Sequence, residues 1–118
     1  MLFELEVAPA DGGVVVCTVI GELDVASAPK LRAEVVRLVA ESDGPPRVVV
    51  DLAGVDFRDS PGLGVLLGGL KRVRAQGGAL VLARAEPQVR KVFEVTRVIE
   101  ILPIHDELDA AIAAAQAE

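Results

Sequence analysis

Aromatic residues are scarce in this chain: three Phe, no Trp and no Tyr. Single-stranded nucleic acids dock on aromatic stacking platforms, which three such residues do not furnish. Cysteine is limited to Cys17 and histidine to His105. A lone thiol makes no intrachain disulfide. One thiol and one imidazole make neither a Cys-rich zinc site nor, lying in a buried-strand pattern and beside a helix cap, a nucleophile–base pair. Positive charge is also short, with 12 Lys and Arg against 18 Asp and Glu and a formal net charge of −6. Phosphate-tracking surfaces need clustered cations, so nucleic acid is not an expected partner. No apolar run reaches the length of about 18 residues that a membrane span requires. The start, Met1-Leu2-Phe3-Glu4-Leu5-Glu6, has neither the basic leader nor the apolar core of a secretory signal, so the cytoplasm is the expected compartment.

What is present is an apolar, globular composition, 52% hydrophobic and 25% charged over 118 residues, which fits one domain spanning 1–118. Leu2 to Val7 alternates apolar and acidic residues, the period of a strand with one wet face. Asp11-Gly12-Gly13 signals a turn into Val14–Ile20, a β-branched run that reads as a strand buried on both faces. The short connection predicts a hairpin. Gly21 to Ala26 reads as a loop and Ser27 as the N-cap of a helix that carries Leu31, Val35, Leu38 and Val39 inward. On its other face, Lys30–Glu34 and Arg37–Glu41 are spaced to pair. Val48–Leu52 is a second buried strand. Ser60 to Gln76 reads as a second helix, with Pro61 at the favoured first position and Gly77 just past the end. Leu80–Ala83 is a short strand, Glu86-Pro87 opens a third helix, Val98–Leu102 reads as a last strand, and Asp106 caps a fourth helix. This β-β-α-β-α-β-α-β-α order predicts an α/β fold: a mostly parallel sheet of four to five strands, an antiparallel N-terminal edge strand and four helices.

One segment departs from pattern. Eleven residues between Asp59 and Lys71, Ser60 to Leu70, carry no charge. A helix packed on one side of a small sheet should show polar residues outside. This one also holds Gly64, Gly68 and Gly69, each costing ~1 kcal/mol of helix propensity relative to Ala. Either a neighbouring element crosses tightly within the fold, or a partner approaches. Just upstream, Ser60 stands at the helix start. A Ser there commonly serves only as a cap. Its functional alternative is a phosphate acceptor, because a phosphoryl group would meet free N–H groups and the positive end of the helix dipole.

The stretch Val55-Asp-Phe-Arg-Asp-Ser-Pro-Gly-Leu-Gly-Val-Leu-Leu-Gly68 resembles the hallmark of the STAS family, the sulfate transporter and anti-sigma factor antagonist domains. It is most similar to stand-alone bacterial antagonists of the SpoIIAA type. Gly21-Glu-Leu-Asp24 matches a second family motif, and hairpin, helix order and length agree over almost the whole chain. The resemblance implies a STAS (SpoIIAA-like) fold and a partner-switching protein. Such a protein binds an anti-sigma factor that is also a serine kinase, and so releases a sigma factor. The kinase then phosphorylates the serine at the second helix, ending binding, and a phosphatase restores it. By this correspondence Ser60 is the acceptor. Asp24, Asp59, Gly62 and Leu63 join it on the partner surface, with Leu63 as an exposed apolar anchor. The docking surface is the uncharged first half of the second helix plus the Gly21–Asp24 loop. Pro61 departs from the family, where many members have a second Ser or a Thr, and it stiffens the residue before it. The alternative within the family is a STAS module of a signalling scaffold or lipid-transport complex without phospho-switching.

Enzymatic readings fare worse. Gly62-x-Gly64-x-x-x-Gly68 has one residue too many for a dinucleotide fingerprint, and no P-loop occurs. Asp51 ends a strand as a receiver's phospho-aspartate would, but Lys30, Lys71 and Lys91 all fall on predicted helices and none ends a late strand. No catalytic residue, metal or cofactor is therefore assigned.

Overall fold

The computed structural model describes residues 3–57 and 61–117. Five strands form one sheet in sequential order: β1 (Phe3–Pro9), β2 (Val14–Leu23), β3 (Arg47–Phe57), β4 (Ala79–Ala83) and β5 (Ile104–His105). β1 runs antiparallel to β2 through the Asp11–Gly13 turn, and the other pairings are parallel. Gly12 and Gly13 take φ of 70° and 76° there, the left-handed region that glycine enters without a Cβ clash. The helices are α1 (Ala28–Glu41), α2 (Pro61–Ala75), α3 (Pro87–Val95) and α4 (Leu108–Ala117).

The two sheet faces are filled differently. Cys17 and Val19 of β2, Val48, Val50 and Leu52 of β3, and Leu80 and Leu82 of β4 point to one face. There they meet Leu31 and Val35 of α1, Leu63, Leu66 and Leu70 of α2, and Val89 and Phe93 of α3. The opposite face carries Val14, Val16, Val49 and Val81 and is covered by Ala111 and Ala115 of α4. Both faces being covered, the central strands read as continuous apolar runs.

Three local expectations are corrected. Val98–Leu102 is not a strand. Residues Val98–Glu100 form a 3-10 turn, and the fifth strand is Ile104–His105, paired to Leu82 and Ala83. Pro103 has no N–H for the ladder and fixes its own φ, and pairing begins only after it, at Ile104. Second, Gly21–Leu23 is no loop: β2 continues to Leu23, opposite Val55, Asp56 and Phe57, past an irregularity between Thr18 and Ile20. Third, the surface pairs of α1 differ in part: Arg37 binds both Glu34 and Glu41, and no Lys30–Glu34 pair forms among the described residues. α2 ends as expected. Gly77 lies just past it at φ 73°, with its N–H on the Arg74 carbonyl at 3.0 Å and that of Gly78 on the Val73 carbonyl at 2.7 Å.

Candidate partner-docking surface

The β2–α1 turn is built on Asp24. Its Oδ1 accepts the backbone N–H of Ala26 at 2.9 Å and that of Ser27 at 3.0 Å. In return the Ser27 hydroxyl accepts the Asp24 N–H at 2.9 Å and donates to the Glu22 carbonyl at 2.7 Å. This reciprocal arrangement three residues apart is that of a capping box. The Ser27 N–H, its hydroxyl and the Ala26 N–H hold the Asp24 carboxyl below the usual range by favouring its charged form. The expectation for Ser27 is corrected accordingly: it sits at the N-cap position of α1, but its buried hydroxyl makes no bond to the helix and is spent on the turn.

The same turn exposes Val25, 68% open to solvent beside Asp24. Sequence reasoning passed over it. The signal was there: a branched apolar residue inside a turn, with no helical or strand partner to bury it.

Register links this turn to the second motif. Leu23 and Phe57 are partners at the carboxyl ends of adjacent parallel strands, which lie about 4.8 Å apart. Asp24 follows Leu23 directly. Phe57 is followed by residues 58–60, and α2 begins at Pro61. Asp59 and Ser60, two of the expected site residues, therefore lie outside the described residues.

The expected anchor, Leu63, is corrected. It is 6% exposed and belongs to the main core with Leu66, Leu70 and Val73, one helical stripe. Gly62 is buried as well. The outward stripe of α2 is Gly64, Gly68 and Arg72, with Val65 and Leu67 half-buried. The three glycines that the sequence left unexplained divide along this line. A Cβ on Gly69 would stand 3.3 Å from both Leu80 Cδ1 and Val35 Cγ1, so close helix–sheet packing accounts for it. Among the described residues, a Cβ on Gly64 or Gly68 would meet nothing within 4 Å.

Reactive groups elsewhere are engaged in structure. Burial pushes the Cys17 thiol up to about 11, with Glu34 adding to the effect. Asp51 is 1% exposed and is held by the Arg84 guanidinium and by the Ala53 N–H at 3.2 Å. Lys30, Lys71 and Lys91 all lie on helices, away from the strand end a receiver's lysine occupies. Among the described residues no three His, Cys, Asp or Glu side chains gather as metal ligands, and no helix is long and apolar enough to cross a membrane.

Comparison with known proteins agrees with this architecture. The chain is 40% identical over 105 residues to BtrV of Bordetella bronchiseptica, covering 88% of this chain and 87% of that one. It is 40% identical over 84 residues to the anti-sigma-B factor antagonist of Bacillus subtilis, covering 71% and 74% of the two chains. Among solved structures, an anti-sigma factor antagonist from Mycobacterium paratuberculosis superposes with a TM-score of 0.84 at 28% identity, over 98% of this chain and 95% of its own. The STAS domain profile matches residues 7–111, and the chain belongs to that family.

Proposed function

We propose that this chain, acting as a single STAS domain over its 118 residues, is a cytoplasmic anti-sigma factor antagonist: a binding protein rather than an enzyme, switched off by phosphorylation of Ser60. In this reading it captures an anti-sigma factor that is also a serine kinase, frees a sigma factor, and is reset by a phosphatase. The observation that supports the reading is the Leu23–Phe57 register: the ordered Asp24 turn follows Leu23 directly, and Ser60 follows Phe57 by three residues in sequence. Val25 replaces Leu63 as the apolar contact, since it is the exposed one. The 40% identity to an anti-sigma-B factor antagonist supports the partner class.

The switch needs no rearrangement. Pro61 opens α2, where the missing proline N–H is not needed, and leaves the N–H groups after it facing the helix mouth. A phosphoryl group at Ser60 adds about −1.5 to −2 charges near Asp56 and Asp59, on a protein already at −6. Like charges set against an acidic nucleotide site cost several kcal/mol, and each ~1.4 kcal/mol is tenfold in affinity, so a loss of about a hundredfold is in reach.

Titration calorimetry against the anti-sigma kinase recovered from the native host tests this. Ser60→Ala should bind as tightly as the unmodified chain and stay bound in the presence of ATP. Ser60→Asp should bind about a hundredfold more weakly. Equal affinities for the two variants would remove the switch, and a host pull-down without an anti-sigma factor would remove the function.

A further inference from the structure

The outward stripe of α2 and the adjoining face of α1 enclose a groove of about 510 Å³. Val35, Val65 and Gly68 make its floor, and Arg32, Lys71 and Arg72 stand around it. It continues along α1 as a second hollow of about 440 Å³ past Ala33 and Val36, sharing Arg32 and Arg72. Val36 is one of the large apolar side chains left exposed.

Two features of this face are unexplained by the fold. First, Gly64 and Gly68 weaken α2 without fitting against any described residue, since a Cβ on either meets none of their atoms within 4 Å. Glycine in a helix face is useful where another backbone must come close. Second, the cations are unanswered. Arg37, Arg84, Arg90 and Arg97 each pair with a carboxylate of this chain. Arg32, Lys71 and Arg72, like Lys30, Arg74 and Lys91, have no ion pair among the described residues, but only the first three line one groove together.

We propose that the α1/α2 groove docks an acidic amphipathic helix of a partner protein. Its small and apolar side chains lie over Gly64, Gly68 and Val65, and its carboxylates answer Arg32, Lys71 and Arg72. Gly64 to Arg72 spans about 12 Å, the length of roughly two helical turns. The charge pattern selects against other occupants. A second copy brings a further net charge of −6, and a basic helix meets the three cations. The groove shares Gly64, Val65 and Gly68 with the half of α2 expected to dock the anti-sigma factor; its preference for an acidic helix rests on Arg32, Lys71 and Arg72 and is tested without that partner.

The test uses a synthetic 18-residue helical peptide with Ala and Leu on one face and Glu on the other, and the same peptide with Lys for Glu. Each is titrated into the isotope-labelled full chain and followed by amide shifts. The Glu peptide should shift Gly64, Gly68, Arg72 and Val36 with micromolar affinity that falls with added salt, while the Lys peptide leaves them in place. Arg32→Glu combined with Arg72→Glu, both surface changes, should weaken binding at least tenfold. Gly64→Ala combined with Gly68→Ala should weaken it while raising the melting temperature. Ser60→Asp should leave it within about threefold. Shifts absent from the groove, equal response to the Lys peptide, or insensitivity to the charge reversal would overturn the proposal, as would self-association of the free chain through this face. None of these outcomes bears on the Ser60 titration.

Discussion

Replacing Gly64 and Gly68 together by Ala should make this protein more stable, which is the reverse of what most double substitutions do. The magnitude follows from the environment of each site. Both residues sit in α2 with ordinary helical backbone, and neither Cβ finds an atom of the described residues within 4 Å. The exchange therefore removes the entropic handicap of glycine without introducing a clash. Each site gains up to ~1 kcal/mol, giving about 2 kcal/mol and a rise of about 8 °C in Tm for a domain of this size. Gly69 is the internal control. Its Cβ would lie 3.3 Å from Leu80 and Val35, so crowding offsets the gain and Gly69→Ala should be neutral or destabilising. Urea denaturation at constant m-value separates the two cases. If the outward pair gained under ~0.5 kcal/mol, or lost stability, those glycines would be serving the fold. The case for a partner at the α1/α2 groove would then lose its first leg.

Cys17 and the buried ion pair give two further tests. The Cys17 thiol is raised from its ordinary 9.0 to about 11, so the folded chain keeps a proton that the unfolded chain releases between those values. Stability must fall as pH rises through that window, by up to about 2–3 kcal/mol, and Cys17→Ala should remove that part of the slope in denaturation curves taken from pH 8 to 11. A thiol reagent at pH 8 should label Cys17 only after unfolding, and rapid labelling of the native chain would contradict its burial. Arg84→Ala leaves the Asp51 carboxylate buried with only the Ala53 N–H for company. We expect a loss of about 2–3 kcal/mol, less than for a fully buried pair because the guanidinium is half open to water, and partial recovery when Asp51→Asn is added. An unchanged denaturation midpoint for Arg84→Ala would show that water already serves Asp51.

Much of the fold was legible because the central strands announce themselves. Val14–Ile20 and Val48–Leu52 are apolar on both faces, and covered parallel strands produce that pattern. The site was harder to read, for a physical reason. From Ser60 to Leu70 no charge marks which side of α2 faces water, so the helical period is hidden and Leu63 passes for a surface residue. The cations at the far end do carry the phase: stepping back from Arg72 in fours lands on Gly68 and Gly64, the open stripe, and leaves Leu63, Leu66 and Leu70 inside. Val98–Leu102 misled differently, since its apolar residues cap the end of the core as a turn, and only Pro103 warned against a strand. Asp24 was found by motif. That its carboxylate is consumed in holding a turn could come only from coordinates.

The two surfaces proposed on α2 lie at different places along it, and electrostatics sets how far they would influence each other. Arg72 lies eleven residues beyond Pro61, about 16 Å along the helix axis. At physiological ionic strength the screening length is about 8 Å, so charge added before Pro61 is felt only weakly at that end. A phosphoryl group at the helix mouth is also satisfied locally, by the N–H groups of the first turn and the dipole behind them, and needs no distant cation to hold it. The Asp24 turn, fastened by its own hydrogen bonds, presents a fixed surface just after β2. Under the proposed switch, phosphorylation would act on contacts made beside Ser60 and would leave a helix seated over Gly68 and Arg72 largely in place. A partner that used both surfaces would therefore be loosened in two separable parts, with only the edge contact under the control of Ser60.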